Sequence, residues 1–160
     1  MSRWHNHYED GYAHFCTSTI SDWQPLLQGE AVTVLYEEWN AARDAIGVKV
    51  LAYVIMPNHY HIMLWSEYGD QIAKFQRRTL SKVAPRIKVG GGLWKERPRV
   101  LPVRSESLLR IKVDYLHRNP LRKGLVVNPE DWPHSSFRQL VLGHHDAQFV
   151  CDDWGQIFIR

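Results

Sequence analysis

The sequence predicts an α+β fold, a two-layer sandwich of helices on a sheet, and three observations lead there. Short runs rich in Val, Ile and aromatics alternate with longer stretches of helical periodicity, in the order strand, helix, strand, strand, helix, strand, helix. Two of those runs, Val48–Met56 and His59–Trp65, flank a Pro57-Asn58 break and read as an antiparallel hairpin. With 160 residues and no internal repeat, the chain suits one domain spanning 1–160 with a single core.

Residues 1–11 are polar and aromatic without periodicity, an irregular lead-in. They contain His5-Asn6-His7, which has the spacing of a metal-binding pair but no rigid strand to support it. Residues 12–20 have the β-branched and aromatic content of a first strand. Glu30–Ile46 places Val32, Leu35, Tyr36, Trp39, Ala42 and Ile46 at helical spacing, with Gly47 set to stop the helix. The Tyr36 and Trp39 stripe reads as core. Val48–Met56 is apolar almost throughout, which predicts a central strand covered on both faces.

After the hairpin, Gly69-Asp70 opens a second helix with Asp70 as N-cap and Ile72, Phe75, Leu80 and Val83 facing inward. The other side of that helix carries Lys74, Arg77, Arg78, Lys82 and Arg86. Gly90-Gly91-Gly92 is a break, and Leu93–Val103 reads as an edge strand because Pro98 and Pro102 forbid full ladder pairing. Trp94 is either a core anchor or a platform on which a base stacks. Ser105 or Ser107 caps a third helix from Leu108 to about Asn119, closed by Pro120 and Gly124. Residues 128–137 form a loop with turn chemistry at both prolines, and 138–160 is a tail that carries no clear pattern.

Charge is unevenly spread. Residues 74–123 hold 15 Lys and Arg against 3 Asp and Glu, a local excess of +12 in a chain whose net charge is +3. Such a block attracts a phosphate backbone, or is simply a solvated basic face. Cys16 and Cys151 form no motif, which points to a reducing compartment and packing as small apolar groups. No apolar run approaches the roughly 20 residues that a membrane span needs, so a cytoplasmic location with no membrane partner is expected.

The chemistry centres on the hairpin. Side chains alternate across a strand, so His59 and His61 project side by side with Met63 and Trp65, while Tyr60, Ile62 and Leu64 face the other way. Two adjacent imidazoles are either ordinary structural residues or half of a site for one divalent ion, with the remaining positions left to another side chain, water or substrate. The third helix offers that partner: Tyr115 and Asn119 stand at i and i+4 on one face, a phenol and an amide oxygen. His117 lies between them, as a helix-end cation or a general acid or base.

These residues resemble a known family, the HUH single-tyrosine transposases, and among them the REP-associated tyrosine transposases. The likeness rests on Met-Pro-Asn-His-Tyr-His at 56–61, Tyr-Leu-His-Arg-Asn-Pro-Leu-Arg-Lys-Gly-Leu-Val at 115–126 and Trp-Pro-His-Ser-Ser-Phe at 132–137. It implies a ferredoxin-like antiparallel sheet with helices and a Mg or Mn ion held by His59, His61 and Asn119. It also implies that Tyr115 is a nucleophile that attacks single-stranded DNA beside a hairpin, leaving a 5′-phosphotyrosine link and a free 3′-OH. The DNA-binding cations expected with that activity are Lys74, Arg77, Arg78, Lys82, Arg110, Lys112, Arg118, Arg122 and Lys123. The state of assembly stays open between monomer and homodimer. Two rival readings remain: a non-catalytic binder of structured single strands, and a Zn-dependent hydrolase of small substrates.

Overall fold

The computed structural model describes residues 5–88, 90, 92–155 and 157. Residues 1–4 of the lead-in, Val89, Gly91 of the glycine break, and residues 156 and 158–160 of the tail lie outside the described residues.

The regular elements are β1 (Ala13–Thr19), α1 (Glu30–Ile46), β2 (Lys49–Met56), β3 (His59–Trp65), α2 (Gly69–Ile87), β4 (Arg99–Val103), α3 (Glu106–Arg122) and a single turn, α4 (Phe137–Leu140). The strands form one antiparallel sheet in the order β2-β3-β1-β4, the arrangement of a ferredoxin-like βαββαβ unit. This is the α+β architecture the sequence predicts. On one face, α1 and α2 bury Val32, Leu35, Trp39, Ile72, Phe75 and Val83 against Tyr53, Tyr60, Ile62 and Leu64. On the other face lies α3, whose Leu109, Val113 and Leu116 pack on Ala52, Val54, Met56 and Met63. The alternation of β3 is what sorts these contacts: odd positions meet α3 and even positions meet the α1 and α2 layer.

Several local expectations hold. Gly47 ends α1 in the left-handed region at φ 82°, and Ser105 caps α3 by accepting from the Leu108 amide. Others need correcting. Asp70 does not cap α2: the Gly69 amide donates instead to Asp10 Oδ1 at 2.7 Å, so the lead-in supplies the cap. Asp70 sits inside the first turn and pairs with Lys74. Residues 5–11 are accordingly docked rather than loose, with Asn6 bonded to Pro98 O and to the Val100 amide.

β2 is not central. It ends the sheet, yet its outer edge is paired by irregular backbone: the Ile55 amide donates to His134 O, the Ser136 amide to Tyr53 O and the Asp152 amide to Val50 O. An apolar run reports that a strand is covered, not whether its neighbour is another strand. β4 is an edge strand as expected, but its ladder begins at Arg99, and Trp94 makes only an isolated bridge to Ile20. The segment after residue 137 has a function in the fold, because Phe149 enters the aromatic core and Trp154 Nε1 donates to Leu51 O. Cys16 and Cys151 are buried and unbridged. Among the described residues no helix is long and apolar enough to cross a membrane.

Candidate active site

Proline normally ends a helix, and the sequence places the end of α3 near Asn119 for that reason. The helix instead runs on to Arg122 with Pro120 inside it, and Asn119 O accepts from the Lys123 amide. Pro120 is buried, so packing of its ring offsets the one bond that its missing N–H cannot make near the helix C-terminus. Tyr115 and Asn119 therefore keep their i, i+4 relation.

The packing of Leu109, Val113 and Leu116 sets Asn119 over the start of β3. Its Nδ2 stands 3.2 Å from His59 Nε2, and the residue is 4 % exposed. His59 and His61 lie with ring centroids 4.9 Å apart. His59 Nδ1 bonds Asn58 Oδ1 at 2.7 Å, and an amide oxygen only accepts, so the ring donates from Nδ1 and turns the lone pair of Nε2 toward Asn119. Thr17 Oγ1 holds His61 Nδ1 at 2.7 Å from the neighbouring strand, where the two residues are register partners. Burial, with Lys123 adding to it, pushes His59 down to about 4. Burial first, then the His59, Arg122 and Lys112 charges, push His61 down to about 3. Both rings are neutral at neutral pH, with lone pairs available.

Tyr115 stands at the rim, 42 % exposed. Its ring meets His61 edge-on at 5.9 Å and Phe15 at 6.1 Å, while Phe15 itself stacks on His61 at 5.1 Å. The Arg122 guanidinium lies 4.0 Å over the Tyr115 ring and donates to Tyr115 O at 2.7 Å. Lys112 stands 6.0 Å from the same ring.

The fold thus gathers His59, His61, Asn119 and Tyr115, with Lys112, Arg122 and Lys123 around them. It does not gather the other expected cations. Arg110 pairs with Glu106 and lies against Trp154, and Arg118 pairs with Asp114. Lys74, Arg77, Arg78 and Lys82 ride on α2, across the sheet from the histidines. His117 is neither a helix-end cation nor part of the site: it is 3 % exposed, pushed down to about 4 by burial, and bonded through Nε2 to Ser136 Oγ at 2.8 Å. Sequence reasoning missed Phe15 and Thr17, which only strand register places beside His61. It also missed the orienting role of Asn58, although that residue lies inside the first motif.

A divalent ion fits these donors in part of its requirement. Two imidazole nitrogens have their far nitrogens tied to oxygens, the usual support for ligating histidines, and a half-turn of the Asn119 carboxamide brings Oδ1 toward His59 Nε2. Among the described residues no cluster of three His, Cys, Asp or Glu side chains gathers, and the polar side chain that stands against the pair is the Asn119 amide.

Fold and site define a class: an antiparallel α+β domain with a His-x-His pair on an inner strand and a tyrosine and an asparagine facing it from a helix. No family model matches the chain. It is 24 % identical to a REP-associated tyrosine transposase of Escherichia coli K12 over 95 % of this chain and 93 % of that one. It is 23 % identical to a Haemophilus influenzae relative named for the same transposases, over 97 % and 94 % of the two chains. Among solved structures, a REP-associated tyrosine transposase bound to a REP hairpin superposes with a TM-score of 0.80 at 23 % identity, covering 97 % of this chain and 96 % of the other. A Deinococcus radiodurans protein described as a transposase matches with a TM-score of 0.51 at 19 % identity, covering 74 % of this chain and 97 % of the other. The resemblance carried by the three motifs extends over nearly the whole chain, in sequence and in fold.

Proposed function

We propose that the protein is a divalent-metal-dependent DNA strand transferase, a transposase acting on single strands that carry a hairpin. The observation that carries the reading is the convergence of α3 on the hairpin, which sets Asn119 3.2 Å from His59 and Tyr115 against His61 from positions more than fifty residues away. The likeness to proteins named as REP-associated tyrosine transposases, one of them bound to a REP hairpin, supports the same substrate class.

His59 Nε2, His61 Nε2 and Asn119 Oδ1 are the atoms that would hold Mg or Mn, which when bound supplies Lewis-acid polarisation of a phosphodiester. The chain's own residues do the rest. Arg122 and Lys112 neutralise the backbone at the rim and hold the Tyr115 ring in place. The phenolic oxygen bonds to phosphorus as the P–O3′ bond breaks; its proton passes to water and the departing 3′ oxygen takes one up. The product is a 5′-phosphotyrosine link, which conserves the bond energy so that a 3′-OH can reverse the step and rejoin DNA. A neutral phenol is a weak nucleophile, so the positive rim of Arg122 and Lys112 would stabilise the phenolate as it forms.

Incubation of the protein with hairpin-bearing single strands and Mn tests this directly. The wild type forms an adduct that survives denaturing gels; Tyr115→Phe forms none while binding the hairpin to within about twofold, because the phenol contributes to the chemical step rather than to uniform binding. An adduct in that variant overturns the assignment, and absence of any adduct from the wild type with Mg, Mn or Zn favours a non-catalytic binder.

A further inference from the structure

A cleft of about 850 Å³ opens on the side of the sheet away from the histidines, between α2, the segment leading into β4 and the docked lead-in. Its walls include Tyr8 and Trp94, both half-buried. The Trp94 ring is fixed, because Nε1 donates to Leu80 O at 3.0 Å and the ring meets Tyr60 edge-on at 5.8 Å. The lead-in is fixed there too, since Asn6, which also lines the cleft, bonds both Pro98 O and the Val100 amide. Arg77 and Arg97 line the same cleft, are exposed, and form no salt bridge among the described residues. Gln76 lines it as well, but it is 1 % exposed and engaged with the core, its Oε1 accepting from the Tyr60 hydroxyl and its side chain meeting the Cys16 thiol.

Aromatic walls and two exposed guanidinium groups that form no salt bridge among the described residues match one ligand chemistry: an unpaired nucleobase with the phosphates on either side of it. A connection to the catalytic face also exists. Arg99 is the register partner of Thr17, which is in turn the partner of His61, so all three side chains lie on the histidine face. His61 and Arg99 are two interstrand spacings apart, roughly 10 Å. From Arg99 at the exposed edge of β4, Arg97 is two residues back and already lines the cleft.

We propose that this cleft is a second DNA site, which captures a base of the single strand flanking the hairpin after that strand has passed from the histidine face round the edge of β4. The proposal rests on the hairpin-DNA reading above and gives Arg77 of α2 a duty that the catalytic site leaves it without. Specificity for the flanking strand would then be set across the sheet from the chemistry.

The test uses the full chain and two DNAs, a blunt hairpin and the same hairpin with a single-stranded extension, followed by fluorescence anisotropy. The double variant Arg77→Ala, Arg97→Ala is expected to weaken binding of the extended hairpin about tenfold and to lower its salt slope by about 1.4, two single-strand phosphate contacts, while leaving the blunt hairpin within about twofold. In the wild type, 2-aminopurine placed along the extension is quenched at one position on binding, and Trp94→Phe, which keeps an aromatic wall, reduces that quench. Equal losses on both DNAs, or no loss on either, overturn the cleft, as does 2-aminopurine fluorescence that binding leaves unchanged at every position. A wild type that still forms the Tyr115 adduct in those cases leaves the catalytic reading standing, whereas a wild type that binds neither DNA overturns both.

Discussion

Acidification isolates the contribution of one buried histidine, His117. The residue is 3 % exposed and its Nε2 bonds Ser136 Oγ at 2.8 Å; since Ser136 Oγ donates to Tyr53 O, the ring nitrogen is the donor. Burial holds it down to about 4, against an ordinary value of about 6.5 in the unfolded chain. A histidine depressed in this way is protonated first in the unfolded state, so stability rises with pH between about 4 and 6.5 and is lost as pH falls through that window. Linkage gives roughly 2 kcal/mol lost between pH 7 and pH 5 from this residue alone. His59 and His61 add losses of the same sign, so the assay is a comparison of slopes: urea unfolding of wild type and His117→Gln at pH 7 and pH 5, in chelator. Gln retains an N–H for Ser136 and does not titrate, so the variant is expected to lose about 2 kcal/mol less than wild type over that range. Equal losses in the two proteins would refute the reasoning.

Thr17→Val keeps the shape of β1 but removes the hydroxyl 2.7 Å from His61 Nδ1, and a 10- to 100-fold loss of Mn affinity by calorimetry is expected, with stability changed by less. Gly69→Ala forces a Cβ to within 2.8 Å of backbone atoms of Tyr8 and Glu9, which no side-chain rotation relieves; a loss of about 1–3 kcal/mol in urea unfolding and faster amide exchange at residues 5–11 should follow.

The hairpin and the three helices were legible because period and punctuation are local. Alternation put His59 and His61 on one side of β3, and i, i+4 spacing put Tyr115 and Asn119 on one side of α3, with no knowledge of what they would face. What failed was three-dimensional. The basic block is continuous from 74 to 123 in sequence, but a sheet runs between its halves, so Arg77 and Arg78 are separated from Tyr115 by β1 and β3. Arg86 pairs with Glu37 and Glu38, which lie outside that block, on α1. β2 read as central because its edge partners, His134, Ser136 and Asp152, come from segments with no strand pattern.

Those edge partners give the third motif a structural reason, although only the first two reach the candidate site. Trp132 Nε1 donates to Ile55 O, the His134 to Ser136 backbone pairs with β2, and Ser136 Oγ joins Tyr53 to His117. The third motif thus clamps β2 to α3. Tyr53 lies six residues before His59 on the hairpin, and His117 lies two residues before Asn119 on the helix, so the clamp fixes the height of the helix above the strand. A displacement of about 1 Å there would carry the Asn119 amide out of hydrogen-bond reach of His59 Nε2, since 3.2 Å is already near the limit. Residues outside the candidate site therefore set its tolerance, and the likeness carried by the three motifs extends beyond the site for that reason.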